Sequence, residues 1–224
     1  MATRGAEATT ARPLRAAATL FVAAMVAVGL VAIVHDLTRS AIEAGQRARH
    51  TARLAAVLGG ARFDNDLLAD VIEVRDEELL GSNDALPVHR ARLGGQPVAV
   101  LLTVVAPGGY GGPIRLLVGI DRDARLLGVR VLEHAETPGL GDAIDERRSD
   151  WIRAFAGRSL SEPPVARWKV RKDGGDFDQF TGATVTPRAV VGAVANALVY
   201  FERRRDELFA APADAAAAER ASGH

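Results

Sequence analysis

The stretch Asp173-Gly174-Gly175-Asp176-Phe177-Asp178-Gln179-Phe180-Thr181-Gly182-Ala183-Thr184-Val185-Thr186-Pro187 joins a glycine- and acid-rich turn to a helix start. Thr186 is of the residue type that caps helices, and Pro187 fits the first helical position, where a missing N–H costs nothing. From Arg188 onward, Val190, Val191, Val194, Ala197, Leu198 and Phe201 recur at helical spacing, and Glu202 to Arg205 close the segment with charge. A helix N-terminus presents unpaired N–H groups and positive partial charge, so a phosphate on Thr184 would be well placed there. The residues alone leave two readings open: an anion-holding helix start, or a plain capped turn.

Working outward, the whole chain of 224 residues allows one sizeable domain with appendages. Its 28 basic and 28 acidic side chains cancel, which argues against wholesale binding to nucleic acid. With no cysteine, the chain can hold no disulfide, thiolate metal site, iron–sulfur cluster or thioether-linked haem. The five histidines show no pair at ligand spacing, so no metal site is expected.

Residues 1–15 read as a short basic tail. Residues 16–34 are apolar apart from Thr19, matching the roughly 20 residues a helix needs to cross hydrocarbon, and we expect one transmembrane helix over residues 16–36. A cleaved signal peptide is the alternative, but no small-x-small site follows the apolar run. The basic tail favours an inside N-terminus with the large domain outside, although Arg39, Arg47, Arg49 and Arg53 follow the span. Residues 37–60 read as a connecting helix ended by Gly59-Gly60.

The pattern over residues 61–209 predicts an α+β domain, a mostly antiparallel sheet packed with helices. Pro87 to Ala91 is strand-like, and strands are expected over residues 98–105, 114–120 and 126–132, the last two joined by a hairpin turn at Asp121 to Ala124. Such a meander would take the later helices on one face. Gly108-Gly109-Tyr110-Gly111-Gly112 has the glycine content of a phosphate loop without the Lys-Ser/Thr that should follow. A second glycine turn, Glu136-Thr137-Pro138-Gly139-Leu140-Gly141-Asp142, permits close backbone approach to a ligand. A helix from Ile144 to Phe155 and a short strand from Val165 to Val170 then lead back to the opening stretch, and residues 210–224 form an alanine-rich tail.

No local hydrolase, Rossmann or P-loop pattern is present. Asp178-Gln179-Phe180-Thr181-Gly182-Ala183-Thr184 resembles the motif on which a family of proteins carries FMN as a phosphoester of its last threonine, here Thr184. Beside it, Gly109-Tyr110, Leu116 to Gly119, Glu136 to Asp142, Ser149-Asp150-Trp151-Ile152 and Lys172 to Asp178 resemble the G subunit of the Rnf ion-translocating oxidoreductase complex. The likeness covers most of residues 14–205.

That resemblance implies a covalent FMN on Thr184, placed there by a separate flavin transferase from FAD with a divalent metal and with AMP leaving. Thr181, Gly182, Ala183 and Asp178 belong to the motif, and Glu136, Thr137, Gly139 and Leu140 are implied to close around the flavin. It implies no catalytic residue or metal ligand in this chain, and a redox role that the flavin performs. The implied setting is the bacterial inner membrane, with one span, the domain on the periplasmic side, lipid around the anchor, and membrane and iron–sulfur subunits as partners. Ion movement would fall to those partners, since no charge lies between Ala16 and Val34. Two other readings stand: a component like the C subunit of the sodium-pumping NADH:quinone oxidoreductase, which shares the threonyl-FMN motif, and a flavin-free, membrane-tethered assembly module.

Overall fold

A computed structural model describes residues 11–210, apart from some side chains of the first helix. It divides into two units, Met1–His50 and Thr51–His224. The first helix, α1, runs unbroken for 47 residues from Ala11 to Val57, so the helix reaches back into residues that read as tail. Alanine-rich sequence sustains it, and its one proline, Pro13, falls in the first turn, where a missing N–H costs no helical hydrogen bond. In the first unit its large apolar side chains, among them Leu20, Phe21, Met25, Val28, Leu30 and Val31, are exposed. The side chains of Ala16, Thr19, Val34 and Asp36, within the expected span, lie outside the described residues. Among the described residues, no helix is long and apolar enough to cross a membrane.

The second unit is built on a five-stranded antiparallel sheet in simple sequential order: β1 (Val71–Asp76), β2 (Ser82–Leu93), β3 (Gln96–Ala106), β4 (Ile114–Asp121) and β5 (Leu126–Glu133). The four-residue helix α2 (Glu77–Leu80) bridges β1 and β2, capped by the Asp76 carboxylate, which accepts the Leu79 N–H at 2.9 Å. A long helix, α3 (Val185–Phe209), completes the unit. Strands β3, β4 and β5 fall where β-branched content predicts them. In contrast, β1 and most of β2 escape sequence reading, because acids and an arginine interrupt β1, and Asp84, Pro87, Arg90 and Arg92 interrupt β2.

Alternate residues of the central strands belong to two separate cores. Val100, Leu102 and Val104 of β3, with Leu116, Val118 and Ile120 of β4, lie in the core that contains Val190, Val194, Leu198 and Phe201 of α3. Ala99, Leu101 and Leu117, pointing the other way, pack with Leu54, Val57 and Leu58 at the end of α1 and with Leu67. Both faces are therefore covered, by α3 on one, as expected of the later helices, and by the end of α1 on the other, and this explains why β3 is a nearly continuous apolar run.

The seat for the end of α1 is made by absence. Gly119 and Gly128 are register partners on adjacent strands, and a Cβ on Gly128 would stand 2.8 Å from the Val57 carbonyl oxygen. A Cβ on Gly119 would come within 3.0 Å of the same oxygen.

Between β5 and α3 the chain is irregular. The expected helix from Ile144 to Phe155 is two short 3-10 turns, Gly141–Ile144 and Trp151–Phe155, with a break at Asp145 to Asp150. The expected strand at Val165 to Val170 is likewise a 3-10 turn, Val165–Arg167, leaving only Val170 bridged to Phe177. Aromatic packing replaces regular structure here: buried Phe155 stacks on Phe177 at 4.8 Å, and Trp168 lies 5.0 Å from Phe177.

One added methyl tests the seat. Gly128→Ala is expected to lower stability by about 1–3 kcal/mol, read as a fall in the thermal unfolding midpoint of the full chain. An unchanged midpoint would show that the end of α1 does not depend on the glycine pair.

Candidate functional site

Three loops converge on the start of α3: residues 107–113 between β3 and β4, residues 134–142 after β5, and residues 178–184. Their junction is Glu136, only 5% exposed. One of its carboxylate oxygens accepts the Gly111 N–H at 3.1 Å, and the other accepts the Thr186 hydroxyl at 2.5 Å. Gly141 packs against the same carboxylate so closely that a Cβ there would come within 2.5 Å of Glu136 Oε2 and 2.9 Å of Thr186 Oγ1.

The glycines of the first loop serve this packing. A Cβ on Gly111 would stand 1.9 Å from the Ala135 carbonyl oxygen, and one on Gly109 2.2 Å from that of Gly112. Their closeness to neighbouring backbone accounts for the glycine run without a phosphate.

Thr186 does not cap α3. Thr184 occupies the cap position with φ −75° and ψ −25°, and its carbonyl accepts the first helical bond from Arg188 N–H at 3.3 Å. Val185 thus begins the helix and Pro187 is its third residue, still within the turn where N–H groups have no helical partner. The Thr184 side chain makes no capping hydrogen bond. Half-buried at the helix start, its hydroxyl takes no hydrogen-bond partner among the described residues. Buried Thr186 is committed to Glu136, whereas Thr181 lies exposed on the preceding turn.

Two turns of one design flank Thr184. In the first, the Leu140 N–H donates to the Thr137 carbonyl at 3.1 Å around Pro138 and Gly139, the latter at φ +78°. In the second, the Ala183 N–H donates to the Phe180 carbonyl at 3.1 Å around Thr181 and Gly182, the latter at φ +82°. Positive φ at the third position is what makes glycine necessary in both. The turns adjoin: a Cβ on Gly182 would sit 3.9 Å from Leu140 Cδ2. Thr137, Gly139 and Leu140 are exposed beside them, so of the turn's candidate residues only Glu136 points inward.

Ion pairs fix the approach to Thr184. Asp173 binds Arg188 through two hydrogen bonds, at 2.6 and 2.9 Å, which hold the Asp173 carboxyl below the ordinary aspartate range. Arg167 pairs with Asp176, and Arg171 with Asp178 at 3.0 Å, the latter pair well exposed and of small energetic weight. Asp178 is held more firmly through its backbone, since the Trp151 indole N–H donates to its carbonyl at 2.7 Å. Neither Arg188 nor Trp151 is identifiable as part of this site from spacing. Their partners lie 15 and 27 residues away.

The three threonines look alike in sequence but should respond differently to loss of the hydroxyl. Thr186→Val leaves a buried carboxylate oxygen without its donor and is expected to destabilise the chain by about 1–3 kcal/mol. Thr181→Val, on an exposed turn, should stay within about 0.5 kcal/mol. Urea unfolding midpoints measure both, and equal midpoints would contradict the role assigned to Glu136.

Comparison with known proteins agrees with this geometry. Residues 109–199, which contain most of the first loop, both later loops and Thr184, match the family model for an FMN-binding domain, and residues 11–57, which are α1, match the model for the RnfG N-terminal region. The chain is 48% identical over 211 residues to the G subunit of the ion-translocating oxidoreductase complex of Pseudomonas aeruginosa strain UCBPP-PA14, spanning 94% of this chain and 95% of that protein. It is 46% identical over 193 residues to the corresponding protein of Vibrio atlanticus, covering 86% and 92%, and 44% identical over 189 residues to that of Shewanella oneidensis, covering 84% and 89%. At such identity over nearly the full length of both partners, the chain belongs to the family of G subunits of ion-translocating oxidoreductase complexes.

Proposed function

We propose that this chain is the electron-transfer subunit of an Rnf-type ion-translocating oxidoreductase complex, carrying FMN as a phosphoester of Thr184. The observation that carries the reading is the Thr184 hydroxyl: half-buried at the cap of α3, without a partner among the described residues, and inside the segment that matches an FMN-binding domain. The Val185 and Thr186 N–H groups take no acceptor among the described residues either, so the first turn of α3 offers donors and positive partial charge to a phosphate on Thr184.

The surroundings fit the group. Gly182 and Gly139 keep the two flanking turns free of side chains, and nothing lies within 4 Å of where a Gly139 Cβ would be. Thr137 and Leu140 on one side, and Thr181 and Ala183 on the other, would border the ribityl and ring portions. Glu136 acts behind them by holding Thr186 and Gly111. Bound FMN supplies one- and two-electron transfer, and the chain contributes tethering, orientation and electrostatics. No carboxylate or histidine among the described residues hydrogen-bonds Thr184, so its hydroxyl has no built-in base. Attachment therefore calls for a separate flavin transferase.

The names of its relatives support membership in a complex; the electron partners of this reading are the complex's membrane and iron–sulfur subunits. The chain has no cysteine and can supply no cluster of its own. The apolar run from Ala16 to Val34, whose described side chains are exposed, supports a single span through the inner membrane with lipid around it. The basic tail before that run supports a periplasmic domain.

One experiment reads the linkage and the orientation together. With the flavin transferase co-expressed, protease added to sealed spheroplasts should remove the full-length in-gel flavin fluorescence of the wild-type chain, and Thr184→Ala should show no fluorescent band. A band in Thr184→Ala would refute the linkage. Protection of the wild-type band until the membrane is ruptured would refute the periplasmic assignment.

A further inference from the structure

The Ser149-Asp150-Trp151-Ile152 segment is part of the sequence likeness, yet nothing in the function derived above uses it. Trp151 is the one aromatic residue, among the described residues, that touches both the buried aromatic cluster and the loop that carries Thr184. On its inner side its ring meets Phe155 edge-on, 5.4 Å between centroids at 83°. Phe155 is fully buried and stacks with Phe177 and Trp168. On its outer side Trp151 meets Phe180 at 5.2 Å and 64°, and its indole N–H donates to the Asp178 carbonyl at 2.7 Å.

These two outer contacts fall at the entrance of the Asp178–Thr184 segment. Phe180 is also the residue whose carbonyl closes the turn onto Ala183. The exit of the segment is fixed separately, by the Arg188 N–H on the Thr184 carbonyl and by Thr186 on Glu136. Between the two anchors the exposed turn at Thr181-Gly182 has no side-chain hydrogen bond among the described residues. Its shape therefore depends on what holds each end.

We propose that Trp151 is a positioning residue for the modification of Thr184, which deepens the flavin reading and rests on it. In that reaction the bond between the FMN phosphorus and the bridging oxygen of a flavin dinucleotide breaks. A bond from Thr184 Oγ to that phosphorus forms, the nucleoside monophosphate leaves, and the hydroxyl proton is released. No electron is exchanged. An in-line attack demands that the hydroxyl be held at a fixed position and angle, and such alignment is what a loop clamped at both ends supplies. Trp151 clamps the entrance with a hydrogen bond that fixes position and a ring contact that fixes orientation.

The test is the steady-state rate of covalent flavin incorporation into the full chain by its transferase with FAD, read by intact mass, alongside thermal unfolding. Trp151→Phe keeps an aromatic ring toward Phe155 and Phe180 while removing the N–H and part of the ring surface. Its kcat for transfer should fall by about fivefold, the effect of one lost hydrogen bond, with KM for the chain unchanged and the chain still fully folded at the assay temperature. Trp151→Ala also loses the ring contacts, and its kcat should fall further. Wild-type kcat in both variants overturns the positioning role, as does a loss in Trp151→Phe that follows the fraction of chain unfolded at the assay temperature. A wild-type chain that takes up no flavin overturns the flavin reading itself, and this proposal with it.

Discussion

The site depends on one buried carboxylate. Glu136 follows β5 just after the strand ends and turns inward, where it would carry a heavy desolvation cost if it had no partners. It has two, the Gly111 N–H and the Thr186 hydroxyl, and each comes from a different part of the chain. A hydrogen bond to a charged group contributes about 1.5–3 kcal/mol, so this junction does more than the exposed ion pairs around it. It sets where α3 begins. Because Thr186 is drawn to Glu136, the cap position moves back to Thr184, and the hydroxyl left without a partner belongs to the threonine proposed to carry the cofactor.

The other end of α3 is held as firmly. Arg90, buried on β2, donates to the Ala210 carbonyl at 2.5 Å and to Asp70 at 2.6 Å, and Arg92 donates to the same carbonyl at 3.2 Å. Two cations at a helix C-terminus meet its negative partial charge, and Asp70 offsets one of them. Pinned at both ends, α3 presents its apolar stripe to β3 and β4 in one register. The opposite face of the sheet receives the end of α1 against Gly119 and Gly128. The sheet is thus a rigid floor, and the irregular chain from His134 to Thr184 can consist of loops and short turns without losing its place.

Much of this was legible from residues. The central strands announced themselves by runs of valine, leucine and isoleucine. The turns at Gly139 and Gly182 declared themselves by glycine beside proline or threonine, and α3 by its 3.6-residue period. What escaped depends on contacts distant in sequence. Thr186 has the composition of a cap, and only the approach of Glu136, 50 residues earlier, takes its hydroxyl away. Ile144 to Phe155 carries helix-like spacing, but Asp145 takes Arg147 and Arg148 into local hydrogen bonds that break the run. Gly119 and Gly128 resembled ordinary strand glycines until the end of α1 was seen to lie on them. The choice of Thr184 as attachment point came from family likeness, and the structure supplies a physical reason for it.

The central claim is that Thr184, alone of the three neighbouring threonines, carries FMN. Fragment-level mass spectrometry of the chain purified from membranes with its transferase present tests this most directly. The account predicts that the fragment containing residues 178–188 is heavier by one FMN less one water, with backbone cleavage placing the increment on Thr184. An increment on Thr181 or Thr186, or none on any fragment, would contradict it.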